Sequence, residues 1–324
     1  MMDLIATTNR APQAGETVKG TKFHTAPGGK GANQAVQCAR LGARVTMVGC
    51  VGDDAFGSCM REAVAAAGVD VSHVKVDKTE ASGVGHILVE QTPERVQNRI
   101  TICPGANLSL TVEDIRWLQK GISQFDLVML QFELPMEVDL AVARWAKDAG
   151  VRVMVNPAPA APIPPELCAC ATYLSPNETE AALLSGCAIR TEREYCAGDV
   201  EAAAGRLCAQ GVENLIITLG DKGAALVEAA SGRMYHVDCV RAPQVADPTA
   251  AGDSFVAAFS VGVCAGLTHP EAAKLASYTA ALTVSQMGAI PSLPTIGDVA
   301  AFMRARGAEG ELLEKLRILS DDHE

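Results

Sequence analysis

The segments Leu127-Val-Met-Leu130 and Val151-Arg-Val-Met-Val-Asn156 are two apolar runs separated by a helical pattern at residues 136–149. Each run has the length of a buried strand, and the connection is long enough to cross from one parallel strand to the next. This stretch therefore predicts a βαβ unit within a parallel sheet.

The same alternation extends along most of the chain. Two more apolar runs, at residues 44–51 and 215–219, have the composition of buried strands. Helical patterns accompany the strands at residues 35–41, 56–67, 178–185, 200–210 and 255–265. We expect an α/β fold built on a doubly wound, mostly parallel sheet.

Two stretches break this alternation. Residues 16–26 alternate polar and apolar side chains without a following helix, and residues 83–89 and 97–103 do the same on either side of a polar turn at 92–95. Such patterns are typical of antiparallel strands with one face in water. We therefore predict a small β-sheet lid from residues 16–27 and 83–104. The main domain is then expected to comprise residues 1–15, 28–82 and 105–324.

Composition and charge limit the possible functions. The chain has 324 residues, 48% of them hydrophobic, which is enough for a sizeable core. Its formal net charge is −11 and it has no Lys/Arg cluster, so we expect no nucleic-acid partner. No apolar run reaches the length of a membrane span, so we expect no membrane association. The eleven cysteines lack metal or redox spacing, which predicts reduced thiols and a cytoplasmic location.

The segment Asp247-Pro-Thr-Ala-Ala-Gly-Asp253 leads from a polar loop into an apolar helix. The small residues Ala250, Ala251 and Gly252 allow a phosphate to approach their backbone N–H groups, where the helix dipole adds about half a positive charge. Asp253 is placed to take a proton from an attacking hydroxyl. The pattern of this segment alone is equally compatible with Asp253 as a helix cap.

The glycine-rich segment Gly28-Gly29-Lys30-Gly31-Ala32-Asn33-Gln34 also precedes a helix. Its glycines allow a ligand close to the backbone, and Lys30 and Asn33 offer donors to hydroxyl groups. It is not a Walker A loop, because no Ser or Thr follows the Gly-Lys pair. A dinucleotide fingerprint remains an alternative, although Gln34 occupies its third glycine position.

Three further segments place polar residues at strand ends. Asn177 and Glu180 open a helix, either as ordinary first-turn stabilisers or beside metal-bound phosphates. Glu133 follows a buried strand, where open α/β sheets bind ligands. The turn Thr218-Leu-Gly220-Asp-Lys-Gly223 joins two strands, either as a simple hairpin or as a surface for a nucleotide.

Taken together and in this order, these segments resemble the ribokinase branch of the PfkB-type carbohydrate kinases. The similarity extends from about Asp3 to Phe302. The glycine-rich segment at residues 28–34 is similar to the first signature of that family, and residues 247–255 are similar to the second. The resemblance implies the doubly wound fold with a β-lid that often pairs across a homodimer.

The resemblance also implies a role for each candidate residue. Asp253 is the expected base, with Ala250, Ala251 and Gly252 as the anion hole. The expected sugar-binding residues are Asp3, Gly28, Gly29, Lys30, Asn33, Glu133 and Asp253. The expected ATP-binding residues are Asn177, Thr218, Leu219, Gly220, Asp221, Lys222, Gly223, Gly252 and Ser277, with Glu180 near Mg²⁺. A monovalent-cation site for K⁺ is expected at Asp247, Thr249, Thr283, Gln286, Gly288 and Ser292.

The leading functional expectation is ATP-dependent phosphorylation of D-ribose to D-ribose 5-phosphate. Deoxyribose, fructose and nucleosides are alternative substrates within the same family. A dehydrogenase with a nicotinamide cofactor and a sugar-binding protein without turnover are alternatives from other classes.

The sequence departs from the family pattern at its beginning. Members usually have a first buried strand that ends in an Asn two residues before the sugar-binding Asp. Met1 occupies the position of that Asn, and no strand precedes Asp3. We therefore expect a missing interior strand, and greater stability for a version extended upstream by about ten residues. Pro248, Ala250 and Ser277 also replace residues that are more usual in the family.

Overall fold

The computed structural model describes residues 1–92, 96–191, 195–307 and 312–316. Residues 93–95 of the expected polar turn, and residues 192–194, 308–311 and 317–324 of the expected main domain, lie outside this part of the chain. The strands are β1 (Met2–Thr8), β2 (Lys22–Pro27), β3 (Thr46–Gly52), β4 (Asp70–Asp77), β5 (Val84–Gln91), β6 (Val96–Cys103), β7 (Leu127–Gln131), β8 (Arg152–Asn156), β9 (Tyr173–Leu174), β10 (Asn214–Thr218), β11 (Ala224–Glu228) and β12 (Arg233–Val237).

The helices begin where the sequence supplies caps or small residues. Asp54 accepts a hydrogen bond from the backbone N–H of Gly57 at 2.8 Å and so caps the second helix. Capping boxes start the sixth, ninth and tenth helices. The helices are α1 (Lys30–Arg40), α2 (Ala55–Ala65), α3 (Arg116–Gly121), α4 (Met136–Asp148), α5 (Pro165–Cys170), α6 (Glu178–Ser185), α7 (Ala197–Cys208), α8 (Ala251–Cys264), α9 (His269–Thr283) and α10 (Ile296–Ala305).

The main sheet has six strands in the order β12-β11-β10-β9-β8-β7, and β7 to β10 run parallel. Its two faces are covered by different helices. Val153 and Val155 pack into a core with α4, α5 and α7, whereas Met154 packs into a core with α8, α9 and α10. Successive residues of a strand point to opposite faces, so a continuous apolar run is what a sheet buried on both sides requires. The expected doubly wound α/β fold is confirmed.

A cavity interrupts the parallel arrangement beside β7. Among the described strands, β3 pairs only with β4, and β7 pairs only with β8. Helix α1 contacts both β3 and β7, so the two strands lie under the same helix without bonding to each other. Between them is an open cavity lined by Met1, Gly31, most of β3 and Gln131. Strands β3 and β7 therefore each have one edge without a hydrogen-bonded neighbour among the described strands. The expected lack of an interior strand implies this arrangement.

The small sheet has four strands in the order β2-β1-β5-β6. The antiparallel pair β5 and β6 lies where the alternating patterns at residues 83–103 predict it. The boundary at the beginning of the chain differs from the expectation, because Met2–Thr8 belongs to this sheet and not to the main one. Strand β1 pairs antiparallel with β2 and parallel with β5 along its length, so its backbone groups find partners only here.

Two further observations concern the class of protein. Within the described ranges, no helix is both long and apolar enough to cross a membrane. All eleven cysteines are free thiols, which agrees with the prediction from their spacing.

Candidate active site

The first turn of α8 forms one wall of a pocket at the carboxyl ends of the parallel strands. Ala250, the residue before the helix, has a φ of +62°, a left-handed conformation that non-glycine residues rarely adopt. At Gly252 a side chain would point into open space, so the backbone there is accessible. Because first-turn N–H groups have no acceptor within the helix, they can bind an anion. The N–H of Ala251 is already directed to the carbonyl of Pro248 at 3.2 Å.

The carboxylate of Asp253 is buried in this turn, with 7% of the residue exposed. Its Oδ2 accepts a hydrogen bond from Nδ2 of Asn33 at 2.8 Å, and its Oδ1 accepts one from Nε2 of Gln34 at 3.1 Å. The side-chain oxygen of Asn33 is buried without a hydrogen-bond partner in the described structure. A buried acceptor of this kind is satisfied when a bound molecule supplies a donor, such as a sugar hydroxyl.

An open pocket of about 630 Å³ connects these residues to the strand ends. Lys30 is the only basic side chain among the described residues that line it. It stands opposite the acidic Glu180 and Asp253, so the pocket has both signs of charge, as a site for a phosphate and a base requires. The lining residues are Lys30, Asn156, Ala158, Ser175, Asn177, Glu180, Thr218, Pro248, Ala250, Gly252, Asp253 and Val256.

A second group of predicted residues surrounds the start of α1. Glu133 accepts a hydrogen bond from the backbone N–H of Lys30 at 2.9 Å. A side chain at Gly28 would come within 2.4 Å of a carboxyl oxygen of Asp3, so only glycine allows this approach. Burial raises the pKa of the Asp3 and Glu133 carboxyls, and the positive amino group of Met1 opposes the rise at both. The arrangement groups the partly buried carboxyl oxygens of Asp3 and Glu133 close to the glycine backbone.

Asn177 and Thr218 lie side by side, in an isolated parallel bridge between the start of α6 and the end of β10. Asn177 and Glu180 form a capping box, with both hydrogen bonds at 2.8 Å, so the helix-stabilising interpretation of these residues holds in the structure. The same two side chains also line the pocket. Burial raises the pKa of Glu180, and the bond from the Asn177 backbone opposes this. Their oxygens are ligands of the type that Mg²⁺ takes beside substrate phosphates.

Several residues that were assigned to ATP do not line this pocket. Gly220–Lys222 forms a short 3₁₀ turn between the antiparallel strands β10 and β11, so the hairpin interpretation holds. Gly223 is required for packing, because a side chain there would meet the carbonyl oxygen of Val237 at 2.0 Å. Leu219 is buried, Asp221 and Lys222 pair with each other at 3.2 Å, and Ser277 is buried within α9.

The predicted cation residues form a linked loop behind the first turn of α8. Asp247 accepts hydrogen bonds from the backbone and hydroxyl of Thr249 at 2.9 and 2.6 Å, and from the N–H of Gly288 at 2.9 Å. Burial raises the pKa of Asp247, but these bonds outweigh it, and the net shift is downward. The other members lie at the end of α9 and after it: Thr283 and Ser292 are buried with their hydroxyls bonded to backbone carbonyls, and Gln286 is exposed.

A model of the pfkB family carbohydrate kinases matches residues 1–296. The chain belongs to that family. It is similar to the ribokinase of Schizosaccharomyces pombe, at 38% identity over 304 residues that cover 92% of this chain and 93% of the relative. It is also 34% identical to the deoxyribokinase of Salmonella typhi over 297 residues, covering 91% of this chain and 94% of the relative.

The fold of this pfkB family kinase is similar to that of Arabidopsis thaliana ribokinase in a structure complexed with ribose and ATP. The TM-score is 0.84 at 33% sequence identity, and the match covers 94% of this chain and 96% of the other.

The sheet topology also excludes the interpretation of residues 28–34 as a dinucleotide fingerprint. The preceding strand β2 is an edge strand of the small sheet and pairs antiparallel with β1. Because it is not part of the parallel sheet, no Rossmann βαβ unit forms.

Sequence reasoning missed three residues that this kinase places at its pocket or beside Asp253: Gln34, Asn156 and Ser175. Asn156 ends β8 and Ser175 follows β9, and the hydroxyl of Ser175 is buried without a partner among the described residues. A polar residue that ends an otherwise apolar strand, such as Asn156 after Val155, was the available signal. Gln34 gave none, because a single glutamine in a helical pattern has no distinguishing context.

Proposed function

We propose that this kinase transfers the terminal phosphoryl group of ATP to the 5-hydroxyl of D-ribose, giving D-ribose 5-phosphate and ADP. The observation that carries the proposal is the buried Asp253 carboxylate at the start of α8, held by Asn33 and open to the pocket that Lys30 lines. The relatives that are named ribokinases, and one whose structure contains ribose and ATP, support ribose as the acceptor.

In this proposal Asp253 accepts the proton of the 5-hydroxyl as that oxygen bonds to the terminal phosphorus, and the bond from phosphorus to the ADP oxygen breaks. Asn33 keeps the carboxylate turned toward the hydroxyl through its bond to Oδ2. The free N–H groups of the first turn of α8, at Gly252 and its neighbours, stabilise the negative charge on the transferring group. Lys30 adds a positive charge on the other side of the pocket.

The remaining site residues have supporting roles. The sugar hydroxyls bind around the start of α1, because acceptors are grouped there. The residues that bind them are Asp3, Gly28, Gly29, Asn33 and Glu133. Asn177, Glu180 and Thr218 hold the phosphate end of ATP. Mg²⁺ neutralises charge on the phosphates when it is bound, and Asn177 and Glu180 are the residues that would hold it. The turn at residues 219–223 and Ser277 contact the nucleotide only if it extends beyond this pocket.

We further propose that K⁺ binds at the Asp247 loop. Asp247 supplies charge, and the neighbouring turn at residues 283–292 supplies carbonyl and hydroxyl oxygens. Because Asp247 is connected to both Thr249 and Gly288, a cation there would hold the loop that precedes the anion-binding turn.

A homodimer through the small sheet is also proposed. Ile5, Ile87 and Ile100 are in register across three strands and therefore lie on one face, together with Asp3. Ile100 is 56% exposed and Ile102, on the same face, is 39% exposed. Exposed apolar side chains in a row on the lid are stabilised when the same surface of a second copy covers them and removes them from water. Ile100→Asp should give a monomer by light scattering, whereas Thr101→Asp, at an exposed position on the opposite face of the same strand, should leave the dimer intact.

The experiment that tests the function is a coupled assay of ADP release with ATP and ribose, deoxyribose, fructose or adenosine. The proposal predicts the highest kcat/KM for ribose. A preference for deoxyribose would move the enzyme to the substrate class of the Salmonella typhi relative. Sugar binding without ADP release from any of the four would contradict a kinase function for this chain.

A further inference from the structure

Gln34 is almost fully buried beside Asp253, and each polar atom of its side chain has a defined partner. Its Nε2 donates to Oδ1 of Asp253 at 3.1 Å and to Oδ1 of Asn156 at 3.0 Å. Its Oε1 accepts from Nε2 of Gln131 at 2.6 Å. One amide group thus connects α1 to the first turn of α8 and to the ends of β7 and β8.

The direction of this amide is determined by groups that can only accept. Asn156 donates its Nδ2 to the backbone carbonyl of Ser175 at 2.8 Å, so its Oδ1 must face Gln34. The carboxylate of Asp253 also accepts. If the Gln34 amide were reversed, its oxygen would face two other oxygens at about 3 Å, which costs far more than the observed arrangement.

Gln34 therefore cannot act on the substrate directly. Both hydrogens of its Nε2 are used within the protein, its oxygen accepts from Gln131, and only 1% of the residue is exposed. What it does is fix one carboxyl oxygen of Asp253, while Asn33 fixes the other. Two fixed oxygens define the plane of the carboxylate and hence the direction in which its remaining lone pairs point.

We propose that Gln34 is a positioning residue for Asp253, and that Gln131 supports it by holding the amide in its only productive orientation. This inference rests on the proposed function, in which Asp253 is the base. Since a small misplacement of a catalytic group can cost about 10²-fold in rate, the pair should affect kcat much more than sugar binding.

The test compares Gln34→Met with Gln37→Met. Gln37 is a buried amide on the same helix, and its Nε2 donates to the carbonyl of Pro294 at 2.9 Å, so its replacement removes a buried amide without removing a bond to Asp253. Gln34→Met should lower kcat about 10- to 100-fold with little change in the KM for the sugar. Gln37→Met should keep kcat. Equal kcat values for the two variants would overturn the proposal.

A double-mutant cycle tests the role of Gln131. Gln131→Leu alone should lower kcat, but it should have no further effect in the Gln34→Met background, because it acts only through Gln34. Additive effects would show that Gln131 acts independently. If Gln34→Met does not fold, kcat of the Gln131→Leu variant decides alone, and an unchanged value overturns the proposal.

Asp253→Asn, measured in parallel, distinguishes a failure of Asp253 as the base from a failure of Gln34 as its positioning residue. Retained kcat in that variant would contradict the proposed base, and the positioning role would fall with it. A large loss in Asp253→Asn together with full activity in Gln34→Met would leave the base in place and reject Gln34.

Discussion

The side-chain amide of Asn33 donates to Asp253 at 2.8 Å, although 220 positions separate the two residues in the chain. The contact joins the start of α1 to the start of α8, and it is buried. The glycine-rich segment and the small-residue segment that the sequence singles out are therefore two walls of one site. The hydrogen bond to a charged carboxylate is worth about 1.5–3 kcal/mol, so it also helps to hold the walls together.

Asn33→Ala removes this bond and the buried side-chain oxygen, which has no partner among the described residues. We expect kcat/KM for ribose to fall about 10- to 100-fold, because a hydrogen bond to a charged group is lost. KM should rise together with the fall in kcat, since Asn33 is proposed to contact both sugar and base. Steady-state kinetics check this, and an unchanged KM would contradict the sugar contact.

The cation proposal predicts a rate response to the salt. Replacing Na⁺ with K⁺ at constant ionic strength should raise the rate of the wild-type protein. Asp247→Asn should remove that response, because it keeps an acceptor for Thr249 but loses the charge. An equal rate in both salts for the wild-type protein, or a response retained in the variant, would contradict a site at Asp247.

Asp139 predicts a dependence of stability on pH. It lies in α4 with 1% of its surface exposed, and its Oδ2 has no hydrogen-bond partner among the described residues. Burial raises its pKa to about 8, well above the value of about 3.9 in an unfolded chain. The folded protein therefore holds a proton that the unfolded chain releases, and stability from this group is lost as pH rises from about 4 to about 8.

Asp139→Asn stays neutral throughout that range. Its Tm relative to the wild-type protein should rise steadily between pH 5 and pH 8. Asp148→Asn, at the exposed end of the same helix, is the control, and its Tm difference should stay nearly constant. A constant difference for Asp139→Asn as well would mean that the carboxyl is ionised in the folded protein.

The cavity between β3 and β7 predicts that an added strand stabilises the fold. A segment of about ten residues before Met1, ending in an apolar strand and an Asn, could pair with both free edges. At a rise of about 3.3 Å per residue it is long enough to run beside β3 and β7. It would also replace the amino group of Met1 with a neutral peptide bond. That amino group is buried, and the burial lowers its pKa. We expect a higher Tm and higher kcat than for the 324-residue chain. A Gly/Ser segment of equal length should give neither gain, and equal Tm values for both extensions would contradict the prediction.

The parts of the fold that sequence patterns predict well are the buried strands and the helices between them. Helix α6 begins at Glu178 and ends at Ser185 as predicted, because a capping box and a left-handed Gly186 define both ends. Residues 2–8 were placed in the main domain without a predicted strand, because this short segment carries no pattern that indicates which strands it pairs with. Only the register with β2 and β5 decides this.

Site residues were predictable where a segment had a distinctive composition. Residues 28–34 and 247–253 combine small residues with isolated polar ones, and both border the pocket. Gln34 was not predictable, because its role depends on partners more than 100 positions away: it bonds to Asn156 across 122 positions and to Asp253 across 219. Such contacts follow from the sheet order and from no local pattern.

The central claim is that Asp253 is the base of phosphoryl transfer to a sugar, and kcat of Asp253→Asn tests it most directly. The substitution keeps the size of the side chain and one acceptor oxygen for Asn33, while the new amide nitrogen faces the Nε2 donor of Gln34. The account predicts a fall in kcat of at least about 10²-fold, with a much smaller change in sugar affinity measured by calorimetry. A variant that binds ribose and retains the kcat of the wild-type protein would limit Asp253 to a structural role as the partner of Asn33 and Gln34, and would contradict its role as the base.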